Sequence, residues 1–375
     1  MKKLLLGSTA VIGVASLAGA AEASDGIKLE VGGFFNIVYM GVFDDKSAHH
    51  FGDERNTDSF NHNAEVHFNG ETTLDNGLTI GAHIELEGEN AGDQIDKSFV
   101  YWSGGFGKVQ IGSQDNAIGG YCVLPPGATS NFSAWSPNAW GSNDPIGSNS
   151  TCSDVLGNSQ SILYTTPNFG GFQLLVGYTP DNNAEDYTQQ GVNNAGTPSN
   201  PHGTAHHSFA AYATYSYQGD NWGIDWGGGG SWQAAFNDTP GGNDGKSSAY
   251  QTDLNLTFGN FSVGGVLEFY HNGGDDNDAW IAGGGAAYTM DAWTFGIQGS
   301  HGHYNGENAF SFVSDPGGSR ILNQVIGTVN YDLAPGVALD GEIGYTWFSD
   351  GGSGVIDAQK DYHAFNVAIG SAFKF

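Results

Sequence analysis

The feature that most constrains this chain is an alternation of apolar and polar residues, which recurs in short runs from residue 27 to residue 375. In the run His62–Leu74, for example, Ala64, Val66 and Phe68 alternate with charged and amide side chains. A period of two residues is that of a β-strand, because successive side chains of a strand point to opposite faces. The chain is therefore expected to be all-β, with strands that present one apolar face and one polar face.

About sixteen such runs can be distinguished, each bounded by turn-forming residues. The predicted strands are Ile27–Val42, His62–Leu74, Leu78–Gly88, Asp96–Ser103, Gly107–Ser113, Gln160–Thr166, Phe172–Tyr178, Ala205–Tyr217, Trp222–Ala234, Ser248–Phe258, Phe261–His271, Ala279–Tyr288, Trp293–Tyr304, Ile321–Tyr331, Val337–Phe348 and Tyr362–Phe375.

The connections between these runs alternate in length. Tight turns such as Asp75-Asn76-Gly77 alternate with long polar loops such as Gln114–Ser159. This layout is typical of an antiparallel up-and-down β-barrel that crosses an outer membrane, whereas a soluble sandwich has Greek-key crossovers. The polar faces then point into a water-filled lumen, because a carboxylate in hydrocarbon is costly. A sheet with a dry core on one face would give the same alternation.

The composition excludes several classes of protein. The chain has 60 Gly, 23 Phe, 16 Tyr and 9 Trp among 375 residues, and a formal net charge of −29. So many aromatic residues argue against disorder, and so many glycines argue against a helical or Rossmann core. The negative charge would repel phosphates, so no nucleic-acid partner is expected.

The first residues have the pattern of a secretory signal peptide. Lys2 and Lys3 precede the apolar segment Leu4–Leu17, and Ala21-Glu22-Ala23 forms an A-x-A cleavage site. We therefore predict a signal peptide at residues 1–23 and one barrel domain at residues 24–375. An N-terminal anchor helix is the alternative. No run of 18 apolar residues follows, so no transmembrane helix is expected in the mature chain.

Aromatic residues cluster near the ends of the predicted strands. They are expected to form the two interfacial girdles of a membrane barrel. The candidates are Tyr101, Trp102, Tyr178, Tyr217, Trp222, Trp232, Tyr270, Trp280, Trp293, Tyr304, Tyr331 and Trp347.

The last predicted strand carries a family resemblance. Its apolar residues alternate up to Phe373 and Phe375, and a final strand ending in Phe resembles the signal read by the outer-membrane barrel-assembly machinery. The stretch around Ala64–Gly112, with "NAEVHFNGETTLDNGLTIGAHIELEGE" followed by "DKSFVYWSGGFGKVQIGSQDNA", is also porin-like. Together with the signal peptide and about sixteen strands, these features make the chain similar to the Gram-negative general diffusion porins.

The resemblance implies a homotrimer of 16-stranded barrels in the outer membrane of a Gram-negative bacterium. Its partners would be outer-membrane lipid, lipopolysaccharide and the barrel-assembly machinery, and small hydrophilic solutes would pass by diffusion. The third long loop, at about residues 114–159, would fold into the lumen and constrict it. General porins often face an acidic third loop with an arginine cluster, and here only Arg55 and Arg320 are available.

The third loop contains Cys122 and Cys152, the two cysteines of the chain. In an exported protein we expect them to form a disulfide, although two free thiols remain the alternative. Closing about thirty residues would stabilise the loop by roughly 3–4 kcal/mol in the chain-entropy model.

Charged residues on the polar strand faces and in the third loop are candidates for the pore lining. Because carboxylates predominate, we expect a preference for cations. The candidates are Glu65, His67, Glu71, His83, Glu85, Asp115, Asp144 and Asp154, with Lys28, Lys97 and Lys108 as opposing charges.

No catalytic or metal motif is recognisable, so neither enzymatic activity nor a cofactor is expected. The acidic segment containing Asp275, Asp276 and Asp278 is a weak candidate for loop-bound Ca²⁺. The leading hypothesis is a passive channel. The alternatives are a substrate-specific porin with a saturable site, an outer-membrane barrel enzyme, and a structural barrel that does not conduct.

Overall fold

The structure is a computed structural model that describes residues 26–44, 57–88, 94–128, 149, 151–152, 159–181, 205–235, 246–272, 278–305, 319–350 and 361–375. Within these ranges it contains sixteen β-strands, in agreement with the predicted number. They are β1 Lys28–Asp44, β2 Asp58–Thr73, β3 Thr79–Glu87, β4 Ile95–Gly104, β5 Gly107–Gln114, β6 Ser159–Thr165, β7 Phe172–Asp181, β8 Ala205–Gln218, β9 Trp222–Ala235, β10 Ser247–Phe258, β11 Phe261–Asn272, β12 Asp278–Met290, β13 Trp293–Asn305, β14 Ser319–Ala334, β15 Val337–Asp350 and β16 Asp361–Lys374.

The strands form one closed antiparallel barrel. Each strand pairs with its neighbours in sequence, and β1 pairs with β16 to close the ring, in a register that runs from Phe34↔Lys374 to Asp44↔Ala364. At the turn end of this pairing, Gly33 N–H donates to the Phe375 carbonyl at 2.9 Å. Because every strand has two partners, the sheet has no free edge. The predicted up-and-down barrel is therefore confirmed.

The tight turns use the residues that their geometry requires. In the turn between β2 and β3, Gly77 has φ 81° and its N–H donates to the Leu74 carbonyl at 2.8 Å. In the turn between β14 and β15, Gly336 has φ 77°, a conformation that glycine adopts without steric cost. These turns were predicted from the sequence.

The two faces of the barrel differ as the alternation predicts. In β15, Leu339 and Ile343 are exposed on the outside, whereas Asp340 and Thr346 are buried on the inside. The other strands repeat this pattern with exposed Phe, Tyr, Val, Leu and Ile side chains on the outer surface. An apolar outer surface around a polar interior is the arrangement of a barrel that spans a membrane. Among the described residues, no helix is long and apolar enough to cross a bilayer.

Three of the predicted girdle residues face inward instead. Tyr101 donates a hydrogen bond to Glu71 Oε2 at 2.6 Å, and Tyr304 donates to Asn149 Oδ1 at 2.8 Å. Tyr270 packs against the two interior apolar clusters. The face of a residue depends on its position in the alternation and not on its closeness to a strand end. Trp222, in contrast, is exposed on the outer surface.

Candidate functional site

The third loop leaves β5 and at once contacts the inner wall. Ala117 and Ile118 are fully buried, and Asn116 Nδ2 donates to Thr179 Oγ1 at 3.4 Å. Tyr121 packs beside them, and burial raises the pKa of its hydroxyl. The apolar residues that receive this segment are Leu163, Leu175, Ala210, Tyr212 and Ala249.

The same segment then reaches strands on the other side of the barrel. Asn255 Nδ2 donates to the Leu124 carbonyl at 2.8 Å, and Gln298 Nε2 donates to the Pro125 carbonyl at 3.0 Å. Ala128 N–H donates to Thr328 Oγ1, in β14, at 3.0 Å. In the closed ring β14 is nearly opposite β5. Residues 115–128 therefore run along the inner face of the wall, and residues 129–148 lie outside the described residues.

The returning part of the loop is held by side-chain amides. Asn149 is fully buried, its N–H donates to Gln324 Oε1 at 3.1 Å, and its Nδ2 donates to Ser300 Oγ at 2.9 Å. Cys152 N–H donates to Gln251 Oε1 at 2.6 Å. The predicted disulfide between Cys122 and Cys152 is present, so the outgoing and returning parts of the loop are covalently joined.

Glycines on the inner wall provide the space that the loop occupies. A Cβ on Gly285 would lie 2.3 Å from the Pro126 carbonyl oxygen, and one on Gly296 would lie 2.4 Å from the Ala128 nitrogen. A Cβ on Gly302 would lie 2.0 Å from Asn149 Oδ1. Two of these three contacts are with backbone atoms, which cannot rotate away. Gly285 and Gly296 therefore admit the loop in this position only as glycine.

A charged group, which we call the acidic cluster, lies where the loop begins. It consists of Glu65, Glu85, Asp96, Lys97 and Asp115. Lys97 Nζ lies 3.0 Å from Glu85 Oε2, 3.0 Å from Asp115 Oδ2 and 3.4 Å from Asp96 Oδ2. The wall and the loop are thus linked by an ammonium that carboxylates contact on three sides.

Two histidines extend this cluster along the wall. His67 Nε2 lies 2.8 Å from Glu65 Oε2, and His83 Nε2 lies 2.7 Å from Glu85 Oε1. His83 Nδ1 contacts Asn69 Oδ1 at 2.5 Å. One donor atom from each of Glu65, His67 and Glu85 lies within 4.8 Å of the other two, so this trio could hold a metal ion.

The remaining predicted wall residues lie nearer the turn end of the barrel. Tyr101 connects them, because it hydrogen-bonds to Glu71 and carries Lys108 Nζ over its ring at 4.6 Å from the centroid. Lys28 is paired with Glu71 in the β1–β2 register. These residues form a second charged region that is separate from the acidic cluster.

Several predicted residues cannot be placed. Asp144, Asp154, Asp275 and Asp276 lie outside the described residues, as does the predicted signal peptide. Asp278 is exposed and lies 2.6 Å from His271 Nδ1 through its Oδ1 atom. The calcium site and the signal peptide therefore stay predictions.

Asp96 is the member of the cluster that the sequence analysis missed. Strict alternation would place Asp96 and Lys97 on opposite faces, but the β3–β4 register shifts at this point, where Leu86 pairs with Ile95 and Glu85 with Lys97. A β-bulge re-aims one side chain, and here it brings Asp96 next to Lys97. The amides and glycines that hold the loop were also missed, since no spacing in the sequence marks them.

The comparisons with known proteins agree with this architecture. A family model described as Gram-negative porin matches residues 7–351. The chain belongs to the Gram-negative porin family. Membership and fold together support a passive outer-membrane channel rather than an enzyme, and they place the porin in the outer membrane. No curated protein matches the chain.

Solved structures share the fold of the porin at low sequence identity. A loop L8 deletion mutant of OmpT, an outer membrane protein of Vibrio cholerae, is 14% identical with a TM-score of 0.62, over 94% of this chain and 100% of that one. An anion-selective porin from Comamonas acidovorans is 18% identical with a TM-score of 0.56, over 93% and 100%. The trimer form of OmpT is 12% identical with a TM-score of 0.57, over 94% and 100%.

Proposed function

We propose that this porin is a passive channel for small hydrophilic solutes and ions, and that it prefers cations. The observation that carries the proposal is the acidic cluster, in which three carboxylates contact one ammonium and a fourth carboxylate lies beside Glu85. Glu85, Asp96 and Asp115 each contact Lys97 within 4 Å, and Glu65 stands next to them on β2. The formal charge of the cluster is therefore strongly negative.

The position of the cluster makes this charge effective. Its members lie on the inner face of β2–β4 and at the start of the third loop, so solutes that pass between the loop and the wall would meet this charge. Screening in physiological salt acts over about 8 Å, so a fixed charge at a narrow passage is felt by every ion that crosses it. Cations are concentrated there and anions are repelled.

The position of the third loop supports the proposal that solutes are limited in size. Its described residues run along the inner wall from β5 to β14, and its two parts are joined by the disulfide. A loop held against the inner wall reduces the open cross-section. We propose that the loop sets the exclusion limit and that the acidic cluster sets the charge preference.

The fold and the outer surface support the remaining partners. Trimeric OmpT has this fold, which supports a homotrimer for this chain. The exposed apolar outer surface would contact outer-membrane lipid and lipopolysaccharide. Phe373 and Phe375, at the end of β16, would be read by the barrel-assembly machinery.

The test is the reversal potential of single channels in a planar bilayer under a KCl gradient. We expect stepwise openings with K⁺ more permeant than Cl⁻. The variant Glu85→Gln keeps the size of the side chain, and it is expected to lower the permeability ratio. Anion selectivity would contradict the charge assignment, and it is a realistic outcome because an anion-selective porin has the same fold. Folded protein that never conducts would contradict the channel itself.

One observation favours a saturable solute site as a second candidate. Four rings follow one another across the inner face of β1–β4, with centroid separations of 6.1 Å for Phe34–His67, 5.8 Å for His67–His83 and 4.9 Å for His83–Phe99. Such a row could stack against a flat solute. A KCl current that saturates as a neutral sugar is added would support this candidate, and a current that changes only with viscosity would exclude it.

A further inference from the structure

We propose that Glu65, His67 and Glu85 bind a divalent transition-metal ion of the zinc class on the lumen wall. The proposal goes beyond the channel function and does not depend on it.

The sheet itself brings the three side chains together. His67 and Glu85 are directly paired in the β2–β3 register, and Glu65 lies two residues from His67 on the same face of β2. Their donor atoms lie within 4.8 Å of one another. Tetrahedral zinc with bonds of about 2.0–2.1 Å needs ligand atoms about 3.3 Å apart. We expect rotation of the carboxylate side chains to close this difference.

The donor set selects the type of ion. One imidazole nitrogen with two carboxylate oxygens suits Zn²⁺, Ni²⁺ or Cu²⁺, whereas Ca²⁺ and Mg²⁺ prefer oxygen ligands alone. The side chains of His67, Glu65 and Glu85 are 27%, 15% and 10% exposed, so a hydrated ion can reach them from the lumen. Three protein ligands leave a fourth position for water.

The surroundings orient the ligands as the second shell of a metal site does. Glu85 Oε1 lies 2.7 Å from His83 Nε2, and His83 Nδ1 contacts Asn69 Oδ1 at 2.5 Å. Hydrogen-bonded partners of this kind fix the direction of a ligating carboxylate. His83 therefore holds Glu85 through Oε1, and an ion bound through Oε2 would displace only the contact with Lys97.

The positive charge of Lys97 disfavours a cation at the site, but the carboxylates of the acidic cluster outweigh it. Lys97 Nζ contacts Glu85 Oε2 at 3.0 Å, and it also contacts Asp115 at 3.0 Å and Asp96 at 3.4 Å. When Glu85 turns to a metal ion, the ammonium keeps two carboxylates. The excess of negative charge in the cluster attracts the divalent cation.

Binding can be tested without any measurement of transport. The full-length porin, folded in detergent, is titrated with Zn²⁺ by calorimetry and with Co²⁺ as a spectroscopic probe. We expect one ion per chain, and the absorption bands of tetrahedral Co²⁺. His67→Gln and Glu65→Gln should each weaken the Zn²⁺ affinity by about tenfold or more, in line with the loss of a ligand.

The matched control is His207→Gln. His207 is an exposed residue of β8 that stacks on Tyr178, and its replacement should leave Zn²⁺ binding unchanged. The barrel fold of each variant is checked by its heat-modifiable migration. Absence of stoichiometric Zn²⁺ binding in the parent protein would overturn the proposal. So would equal affinity in His67→Gln, Glu65→Gln and His207→Gln.

A bilayer measurement separates this proposal from the channel function. Low concentrations of Zn²⁺ should reduce the K⁺ current of the parent porin, while equal Mg²⁺ should not, and His67→Gln should remove the effect. A protein that binds Zn²⁺ in detergent but never conducts would keep the metal site and overturn the channel. A conducting, cation-selective protein that fails to bind Zn²⁺ would keep the channel and overturn the metal site.

Discussion

The inner wall has two regions that contact the third loop through different kinds of group. On β10–β14 the wall meets the loop with amides, hydroxyls and glycines, such as Gln298, Thr328 and Gly296. On β2–β4 it meets the loop with charge, through Lys97 and Asp115. The neutral region fixes the position of the loop, and in the proposed channel the charged region faces the solute path.

The difference follows from the energetics of the two kinds of contact. A neutral hydrogen bond contributes about 1 kcal/mol regardless of salt, and several of them hold a backbone in one place. The ion pairs of Lys97 are partly buried, since the side chains of Lys97, Glu85 and Asp115 are 20%, 10% and 38% exposed, so salt screens them less and they create a field. Neutral groups therefore hold the loop, and in the proposed channel the charges act on the ions that pass.

The largest effect on conductance is expected when side chains added to the neutral region exclude the loop from it. The double variant Gly285→Ala/Gly296→Ala would place Cβ atoms 2.3 Å and 2.4 Å from the backbone of Pro126 and Ala128. The loop must leave this wall, so conductance and the size limit for neutral solutes should both rise. The matched control is Gly327→Ala, whose Cβ would lie 3.6 Å from Ile343 on the outer surface. An unchanged exclusion limit in the double variant would show that the loop does not set it.

The next effect is expected from the disulfide. Replacing Cys122 and Cys152 by Ser removes a covalent closure of the loop that is worth about 3–4 kcal/mol in the chain-entropy model. The barrel should still fold, because the disulfide lies within the loop and joins no two strands. The check is limited proteolysis of the folded protein, with cleavage within residues 115–158 expected to become faster. Equal cleavage rates with and without the disulfide would mean that the wall contacts alone hold the loop.

A smaller effect, on ion selectivity, is expected from a substitution in the charged region. Lys97→Gln removes the one ammonium of the acidic cluster, and the permeability ratio of K⁺ to Cl⁻ should rise by about twofold. Lys246→Gln is the matched control, since Lys246 is exposed just before β10 and outside the cluster. Reversal potentials under a KCl gradient give both ratios. If the two variants shift the ratio equally, net charge rather than the cluster determines selectivity.

The smallest effect is expected from a single neutral contact. Gln298→Ala removes the hydrogen bond to the Pro125 carbonyl, which should lower the local stability of the loop by about 1 kcal/mol. Hydrogen exchange of the amides near Pro125 should become faster, while the conductance stays the same. Gln218→Ala, at the turn end of β8, removes a hydrogen bond to Asp225 and should leave that exchange unchanged.

The sequence predicts the barrel well because the strand signal is local. Period-two alternation and turns such as Asp75-Asn76-Gly77 depend on neighbouring residues, and all sixteen strands were found from them. The inward position of Glu65, His67, His83 and Glu85 also follows from alternation alone.

The sequence predicts the site less completely because its contacts are remote. The bond between Ala128 and Thr328 joins residues 200 positions apart, and nothing near either residue indicates it. The bulge that brings Asp96 to Lys97 interrupts the same alternation from which the faces were assigned. The glycines of the inner wall were visible as composition, but the loop that requires them becomes evident only in three dimensions.

The pairing of β1 with β16 has a consequence for how the barrel forms. These strands are neighbours in space but stand at opposite ends of the barrel sequence, so their pairing closes the longest loop in the protein. Until β16 is in place, the other strands form an open sheet with two unpaired edges, which hydrocarbon does not tolerate. Insertion into the bilayer and closure of the ring are therefore expected to be coupled, with the pairing of β16 completing both.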